Sequence, residues 1–272
     1  LQDARSQLQI PWGDGANEEH AGLVTWCDTA QLDSTTFACY APSCRALWAD
    51  GGIQEAYRRR REFQLEECVK YFLDDLNRIG NKDYLPTSHD LLYARQTTEG
   101  AIVEFVADSR HRLHKFVDIG GQRQSKKVCR LFRGIDAVLF LVSTDEFDHI
   151  VRNGDSSSSN RLAQSCDAFG DILDHFAFDK VDIFLLLNKI DLLEQKIKEV
   201  NLGDYFPEYQ GDPRSLDQVT RFIRGMFEVK NHRRRNYVYS HFTTAVDTYN
   251  IEKVWLAVTD KLNSCKVGCV LF

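Results

Sequence analysis

The 272-residue chain has the composition of an ordinary globular protein with a slight excess of acidic residues. It contains 34 Lys and Arg against 40 Asp and Glu, a formal net charge of −6, and 43% of its residues are hydrophobic. This composition excludes a disordered or low-complexity chain, and the acidity argues against nucleic-acid binding. The sequence has no apolar run of about eighteen residues and no signal-peptide pattern, so we expect a cytoplasmic protein without a membrane span.

The first third of the chain has the pattern of helices. Over residues 18–79 apolar residues recur three or four positions apart, and runs of β-branched residues are scarce. The clearest helix is predicted over residues 62–79, with one apolar face and with Gly80 as the residue that stops it. We therefore predict a helical domain over residues 1–88.

After this region short apolar strands alternate with helical stretches. Strands are predicted near residues 102–107, 113–118, 136–143, 182–188 and 237–242, and helices near 123–132, 161–176, 215–228 and 250–263. Strands separated by helices form a mostly parallel sheet with helices on both faces. We predict an α/β domain over residues 89–272, and such domains bind ligands beyond the carboxyl ends of their strands.

One candidate site follows the strand predicted at 113–118. Asp118 closes that strand, Gly120 and Gly121 allow backbone amides to approach a ligand, and Gln122 follows them. A hydrated Mg²⁺ needs a carboxylate, and a terminal phosphate needs an unobstructed backbone N–H. The same residues equally describe a strand that ends in a turn, so both interpretations stay open at this point.

A second candidate site is Asn188-Lys189-Ile190-Asp191, after the strand predicted at 182–188. An aspartate carboxylate can accept two hydrogen bonds from the N1–H and the exocyclic amine of guanine, a pair of donors that adenine lacks. The alternative is a polar strand-to-helix turn with Asp191 near a helix N-cap. A third segment, Thr243-Thr244-Ala245-Val246, ends the last strand and offers a backbone N–H to the guanine carbonyl.

The order of these segments is typical of a guanine-nucleotide-binding domain. Over nearly its whole length the chain resembles the α subunits of heterotrimeric G proteins, in particular their G-twelve/thirteen subclass. The segments that carry the resemblance are residues 10–12, 46–48, 62–65, 70–74, 118–123, 188–191, 206–207, 211–213 and 241–245. The resemblance implies a Ras-like domain with an inserted helical domain, which binds GDP or GTP with Mg²⁺ and hydrolyses GTP slowly.

The resemblance also implies roles for individual residues. Arg95 is expected to stabilise negative charge on the transferring phosphoryl group, and Gln122 to orient the attacking water. Thr98 is expected to bind Mg²⁺ directly and Asp118 through a water, while the N–H of Gly121 binds the γ-phosphate. The full set of implied nucleotide-binding residues is Leu92, Tyr93, Ala94, Arg95, Gln96, Thr97, Thr98, Asp118, Ile119, Gly120, Gly121, Gln122, Asn188, Lys189, Asp191 and Ala245.

The implied partners are a G-protein-coupled receptor, a βγ dimer and Rho guanine-nucleotide exchange factors, at the inner face of the plasma membrane. Residues 266–272 correspond to the receptor-reading tail of the family. The final residues, Cys269-Val270-Leu271-Phe272, also fit the Cys-a-a-X prenylation pattern. The use of this tail therefore has two interpretations.

The chain departs from the family pattern at the phosphate loop. No Gly-x-x-x-x-Gly-Lys-Ser/Thr occurs in the 272 residues. We expect a chain truncated at its N-terminus, without the family's first strand, so that the neighbours of this interior strand have unpaired edges. Tight nucleotide binding and hydrolysis are expected to need the loop.

The second switch departs as well. Val128 stands where the family has a tryptophan, and the segment after Gln122 is one residue shorter than in the family. Binding of βγ is left open by these differences. The alternative function is a catalytically inactive interaction module, without a phosphate loop, that binds receptors or regulators.

Overall fold

The computed structural model describes most of the chain. The described residues are 1–27, 32–63, 65, 68–94, 101–107, 113–119, 134–152, 158–175, 178, 181–231, 237–264 and 269–271. Contacts within the chain divide it into two compact units, Leu1–Gln96 and Thr97–Phe272. No helix in the described part is long and apolar enough to cross a membrane.

In the first unit, every regular element of the described residues is helical. The α-helices are α1 (Gln2–Gln7), α2 (Asn17–Thr25), α3 (Ser34–Ala49), α4 (Gly51–Arg58), α5 (Cys68–Asp74), α6 (Leu76–Ile79) and α7 (Ser88–Tyr93). The predicted helical character of this region is confirmed for these residues.

The single helix predicted over residues 62–79 is wrong. The structure has a 3₁₀ turn at Arg60–Glu62 and then two short helices, α5 and α6, separated at Asp75. Arg78 donates a hydrogen bond to Asp75, and its guanidinium also forms a bidentate pair with the buried Asp90 at 2.7 and 2.8 Å. These tertiary contacts stabilise a break that periodicity does not predict. Gly80 does end α6, but with a negative φ, so it does not form a left-handed cap.

Asp50 joins α4 to the segment that precedes α2. Its side chain is the N-cap of α4, where it accepts hydrogen bonds from the backbone N–H groups of Gly52 (2.8 Å) and Ile53 (3.2 Å). It also accepts from the N–H groups of Gly13 (3.2 Å) and Asp14 (2.9 Å) and from the side-chain amide of Asn17 (2.9 Å). Burial raises the pKa of Asp50, but these donors outweigh burial and lower the pKa to about 2.

The second unit is built on a six-stranded sheet. Its strands and helices are β1 (Ala101–Ala107), β2 (Leu113–Ile119), β3 (Ala137–Ser143), β4 (Ile150–Arg152), β5 (Ser158–Asn160), α8 (Arg161–Asp174), β6 (Asp182–Asn188), α9 (Ile190–Lys196), α10 (Leu216–Lys230), β7 (Val238–Phe242), α11 (Thr248–Ser264) and β8 (Cys269–Leu271). The sheet order is β1-β2-β8-β3-β6-β7, and only β1 runs antiparallel to its neighbour. The predicted mostly parallel sheet is confirmed, while the helix predicted near 123–132 lies outside the described residues.

Helices cover both faces of this sheet because successive strand residues point to opposite faces. Val138, Phe140 and Val142 of β3 belong to a buried cluster with residues of α8 and α10. Ala137 and Leu139 belong to a second cluster, which contains three residues of α11. The central strands are therefore largely buried on both faces, although Leu141 of β3 is 44% exposed, and most of their polar backbone groups are paired within the sheet.

The strand β8 was not predicted. It lies between β2 and β3, parallel to both, and pairs with Asp118 and with residues 137–139. The expectation of unpaired edges is therefore wrong at these positions. An interior ladder that is left open buries unsatisfied N–H and C=O groups, and the segment after α11 satisfies part of this requirement.

The contacts of Asp50 predict a stability that depends on pH. We expect Asp50→Asn to lower the free energy of unfolding at pH 7 by about 2 kcal/mol, because it removes a charged acceptor that serves several donors. The carboxylate of the folded state has the lower pKa, so its stabilisation is complete above about pH 4 and is lost as the pH falls through about 2.

Urea unfolding followed by circular dichroism from pH 7 to pH 2 measures this difference. The control is Asp83→Asn, which makes the same change of charge at an exposed position. An Asp50→Asn variant as stable as the control at pH 7 would contradict the assigned role of Asp50.

Candidate functional site

The candidate site lies at the carboxyl ends of β6 and β7. The register of the sheet pairs Ser143 of β3 with Asn188 of β6, and Leu187 with Phe242 of β7. The segments that follow these strands consequently emerge at one edge of the sheet. Two of the predicted segments, 188–191 and 243–246, are brought together there by parallel pairing alone.

Asn188 is the centre of the hydrogen-bond network at this edge. Its side-chain Oδ1 accepts from the hydroxyl of Thr243 (3.0 Å) and from the backbone N–H of Ala245 (2.9 Å). Its carbonyl accepts from the hydroxyl of Thr144 (2.8 Å), whose residue is fully buried. The two donors from the segment after β7 orient the side chain of Asn188, and the hydroxyl of Thr144 fixes its backbone carbonyl.

Asp191 lies in the first turn of α9 and faces the segment after β7. The hydroxyl of Thr244 donates to Asp191 Oδ1 at 3.3 Å, a long hydrogen bond. The N–H of Thr244 donates to Asn250 Oδ1 at 3.0 Å, which ties the same segment to the start of α11. Asp191 is half-buried, and its carboxylate has acceptor capacity beyond this one weak bond.

Lys189 connects β6 to α9 with left-handed backbone angles, φ 62° and ψ 40°. This conformation costs a non-glycine residue about 1 kcal/mol and persists only where surrounding contacts enforce it. Lys189 Nζ lies 3.7 Å from Oδ1 of the buried Asp145. Lys196 Nζ donates to the carbonyl of Asp145 (2.6 Å) and to Asp148 Oδ1 (2.7 Å). The 3₁₀ turn at 144–148 thus supports the site from the end of β3.

Asp118 also lies at the end of a strand, as predicted. It is half-buried near the end of β2, and its backbone pairs with Ile102 of β1 and with Leu271 of β8. Ile119 ends the same strand. One carboxylate at this position is compatible with a hydrated cation, since Mg²⁺ binds through one or two carboxylates and waters. In the described part of the chain no group of three or more His, Cys, Asp or Glu residues could hold a metal ion.

The predicted first switch begins in the first unit. Leu92 and Tyr93 form the end of α7, and the N–H of Ala94 donates to the carbonyl of Asp90 at 2.8 Å. Leu92 is exposed, while the ring of Tyr93 stacks on that of Tyr71 with centroids 4.1 Å apart. The other predicted site residues lie outside the described residues. These are Arg95, Gln96, Thr97, Thr98, Gly120, Gly121 and Gln122.

Sequence reasoning missed the residues that support the site. Thr144 and Asp145 follow β3, and Asn250 begins α11, so none of them belongs to a predicted motif. The available signal was the position of Thr144 and Asp145 directly after a predicted buried strand. Polar residues at the carboxyl end of a parallel strand are candidates for the site edge.

The family model of the G-protein alpha subunit matches residues 1–262. Guanine nucleotide-binding protein subunit alpha-13 of Homo sapiens is 42% identical over 271 residues, which covers 96% of this chain and 71% of that protein. Guanine nucleotide-binding protein subunit alpha-12 of Rattus norvegicus is 43% identical over 266 residues, covering 96% of this chain and 69% of that protein.

The hydrogen bond from Thr144 predicts a local stability effect. We expect Thr144→Val to lower the free energy of unfolding by about 1.5 kcal/mol, because the carbonyl of Asn188 then loses a donor in a buried site. Thr220→Val is the matched control. The hydroxyl of Thr220 donates to the carbonyl of Leu216 (2.7 Å) inside α10, which has an intrahelical N–H partner as well.

Chemical denaturation of the two variants beside the unchanged chain measures both effects. Equal losses in the two variants would contradict a specific role for Thr144 at this edge.

Proposed function

This chain belongs to the G-protein α-subunit family, and on that premise we propose that it is a signal-transducing, GTP-binding switch that hydrolyses GTP to GDP. The family couples membrane receptors to intracellular effectors. The match over residues 1–262 and the 42% identity to subunit alpha-13 support this function and do not favour an inactive interaction module. The similarity to the alpha-12 and alpha-13 subunits also supports the G-twelve/thirteen subclass.

The observation that carries the proposal is the convergence at the carboxyl ends of β6 and β7. The carboxylate of Asp191 would accept from the N1–H and amine of guanine, which selects guanine over adenine. Asn188 is held beside it by three donors, and Lys189 is held by its neighbour Asp145. The carboxylate of Asp191 thus lies beside residues whose positions are fixed by hydrogen bonds. A positioned acceptor of this kind is what discrimination between guanine and adenine requires.

Hydrolysis is proposed to depend on Arg95 and Gln122. By family resemblance, Arg95 offsets charge on the transferring phosphoryl group and Gln122 orients the attacking water, while the N–H of Gly121 binds the γ-phosphate. Mg²⁺, when bound, neutralises charge on the phosphates. Thr98 would hold it directly and Asp118 through a water, and the position of Asp118 near the end of β2 fits this role.

We also propose that the first unit is the helical domain inserted into the Ras-like fold of this family. Within the described residues the first unit contains only helices, and the second contains the parallel sheet. The division found at residue 96 lies close to the domain boundary of residues 1–88 and 89–272 that the sequence predicts. The different secondary structure of the two units and the division at residue 96 both support two domains, with the predicted first switch at the boundary in the chain.

The proposed partners are a receptor, a βγ dimer and Rho guanine-nucleotide exchange factors, at the inner face of the plasma membrane. Interaction with receptors and βγ is a property of the family, and the exchange factors follow from the G-twelve/thirteen subclass. Residues 266–272 are the proposed receptor contact. The second-switch residue Val128 differs from the family pattern, so its contribution to βγ binding is a separate question for experiment.

Base selection predicts the effect of one substitution. We expect Asp191→Asn to weaken GDP binding about 100-fold, because two hydrogen bonds to a charged acceptor are lost. Binding of xanthosine diphosphate is expected to improve, since the new amide can donate to the carbonyl that xanthine has in place of the guanine amine. The control is Glu194→Gln, which neutralises an exposed carboxylate on the same helix.

Fluorescent nucleotide titration with Mg²⁺ measures these affinities. The titration is made with the 272-residue chain and with a version extended upstream by a segment that carries Gly-x-x-x-x-Gly-Lys-Ser/Thr. Comparable binding to both versions would overturn the expected dependence on the phosphate loop. Unchanged affinities in Asp191→Asn would overturn the guanine site.

The proposed role of Gln122 in hydrolysis predicts the effect of a second substitution. Gln122→Leu is expected to slow GTP hydrolysis at least about 100-fold while nucleotide binding is retained, because the attacking water is no longer oriented. Gln124→Leu is the control, two residues further along the chain. Single-turnover phosphate release in the extended version measures the rate, and an unchanged rate in Gln122→Leu would show that the assigned role is wrong.

A further inference from the structure

The helices α2 and α3 of the first unit lie against each other in antiparallel orientation. The side-chain amide of Asn17 donates to Asp50 Oδ2 (2.9 Å), which joins the start of α2 to the C-cap of α3. One turn further along α2, His20 Nδ1 lies 3.1 Å from Oγ of the buried Ser43. Because the two helices run in opposite directions, the end of α2 faces earlier residues of α3.

Two half-buried cysteines belong to this pair of helices. Cys27 follows Trp26, the C-cap of α2, and Cys44 lies inside α3, next to Ser43. Tyr40 lies one turn before Cys44, so the side chains of these two residues share one face of α3. Both cysteines are free thiols in this structure.

The side chain of Cys27 interacts with both residues of that face. Charge on its sulfur raises the pKa of the Tyr40 hydroxyl, and burial and a hydrogen bond between the two groups raise this pKa further. Burial raises the pKa of the Cys44 thiol, and the charge of Cys27 raises it as well. Because interactions between charges weaken with distance, the three side chains form one cluster.

The position of Cys27 allows its sulfur to reach that of Cys44. A disulfide needs two Cα atoms within about 7 Å of each other. Cys27 lies beyond the last residue of α2, and its N–H is held by a long hydrogen bond of 3.3 Å to the carbonyl of Val24. Helix ends open at low cost, so the backbone of Cys27 can adjust, whereas that of Cys44 is fixed inside α3.

We propose that Cys27 and Cys44 are a modification site for hydroperoxides, which convert the two thiols into a reversible disulfide between α2 and α3. With hydrogen peroxide, the Cys27 thiolate attacks one oxygen and the O–O bond breaks. The sulfur becomes a sulfenic acid, and the leaving hydroxide takes up the thiol proton to give water. The Cys44 sulfur then attacks the Cys27 sulfur, the S–O bond breaks, and hydroxide leaves with the Cys44 proton as a second water. The two thiols lose two electrons, which the peroxide accepts.

The exposed Cys39 distinguishes pairing in the folded chain from chance pairing. Cys39 lies closer to Cys27 along the chain than Cys44 does, so loop closure in an unfolded chain favours a link between Cys27 and Cys39. In the structure the thiol of Cys39 donates to the carbonyl of Thr35 (3.5 Å). A preference of Cys27 for Cys44 therefore depends on the packing of α2 against α3.

The first test adds hydrogen peroxide to the 272-residue chain, with and without urea. Unreacted thiols are alkylated, and mass spectrometry identifies linked peptides after digestion with chymotrypsin. This protease cleaves after Phe37 and Tyr40, so the three cysteines fall in separate peptides. The Cys27–Cys44 link is expected to dominate in the folded chain and to lose its preference in urea. No such link in the folded chain, or equal proportions of the two links in both conditions, overturns the proposal.

Substitution of single cysteines separates the two chemical steps. In Cys44→Ser, hydrogen peroxide is expected to leave Cys27 as a sulfenic acid, which dimedone traps. In the matched control, Cys39→Ser, the link between Cys27 and Cys44 is expected to form as in the unchanged chain. A link that requires Cys39, or no dimedone adduct on Cys27 in Cys44→Ser, overturns the proposal.

A third variant tests the hydroxyl beside Cys27. Tyr40→Phe is expected to slow formation of the disulfide about threefold or more, because the thiolate loses a hydrogen-bond donor. Tyr84→Phe, at another half-buried tyrosine of the first unit, is the control. An unchanged rate in Tyr40→Phe overturns the role of its hydroxyl. Dithiothreitol is expected to restore both thiols in every linked chain, and failure to restore them overturns the proposed reversibility.

Discussion

The in-register parallel pairing of β3, β6 and β7 is the constraint on which the candidate site depends. Pairing of Ser143 with Asn188, and of Leu187 with Phe242, sets three strand ends side by side. The polar segments that follow therefore meet although they are far apart in the chain. Alternate residues of β3 pack in two different clusters, with α8 and α10 on one face and α11 on the other, so a shift of one residue would exchange the side chains fitted to each cluster.

Asn188 is partly withdrawn from water at this edge, so its polar groups need partners within the protein. Asn188 meets this requirement through donors from Thr144, Thr243 and Ala245. The same network holds Asn188 in place. Preorganisation of this kind lowers the cost of binding, because less freedom is lost when the ligand arrives. In the proposed function, one set of contacts would both satisfy the polar groups of Asn188 and position the residues that recognise the base.

The backbone groups of β2 and β3 in the interior of the sheet also need hydrogen-bond partners. An interior ladder between β2 and β3 that lacked a strand would leave backbone donors and acceptors unpaired beneath covering helices. Residues 269–271, which form β8, meet part of this need.

Local patterns in the sequence determined much of this fold. Short apolar runs between helical stretches predicted β1, β2, β3, β6 and β7 to within about one residue, and the residue types at 188–191 and 243–245 predicted a guanine site. These features depend on near neighbours in the chain, which a sequence displays directly. Tertiary structure alone decided the break at Asp75, the support of Asn188 by Thr144, and the insertion of β8. Each of these results from pairing a buried polar group with a partner distant in the chain, and no local pattern records that distance.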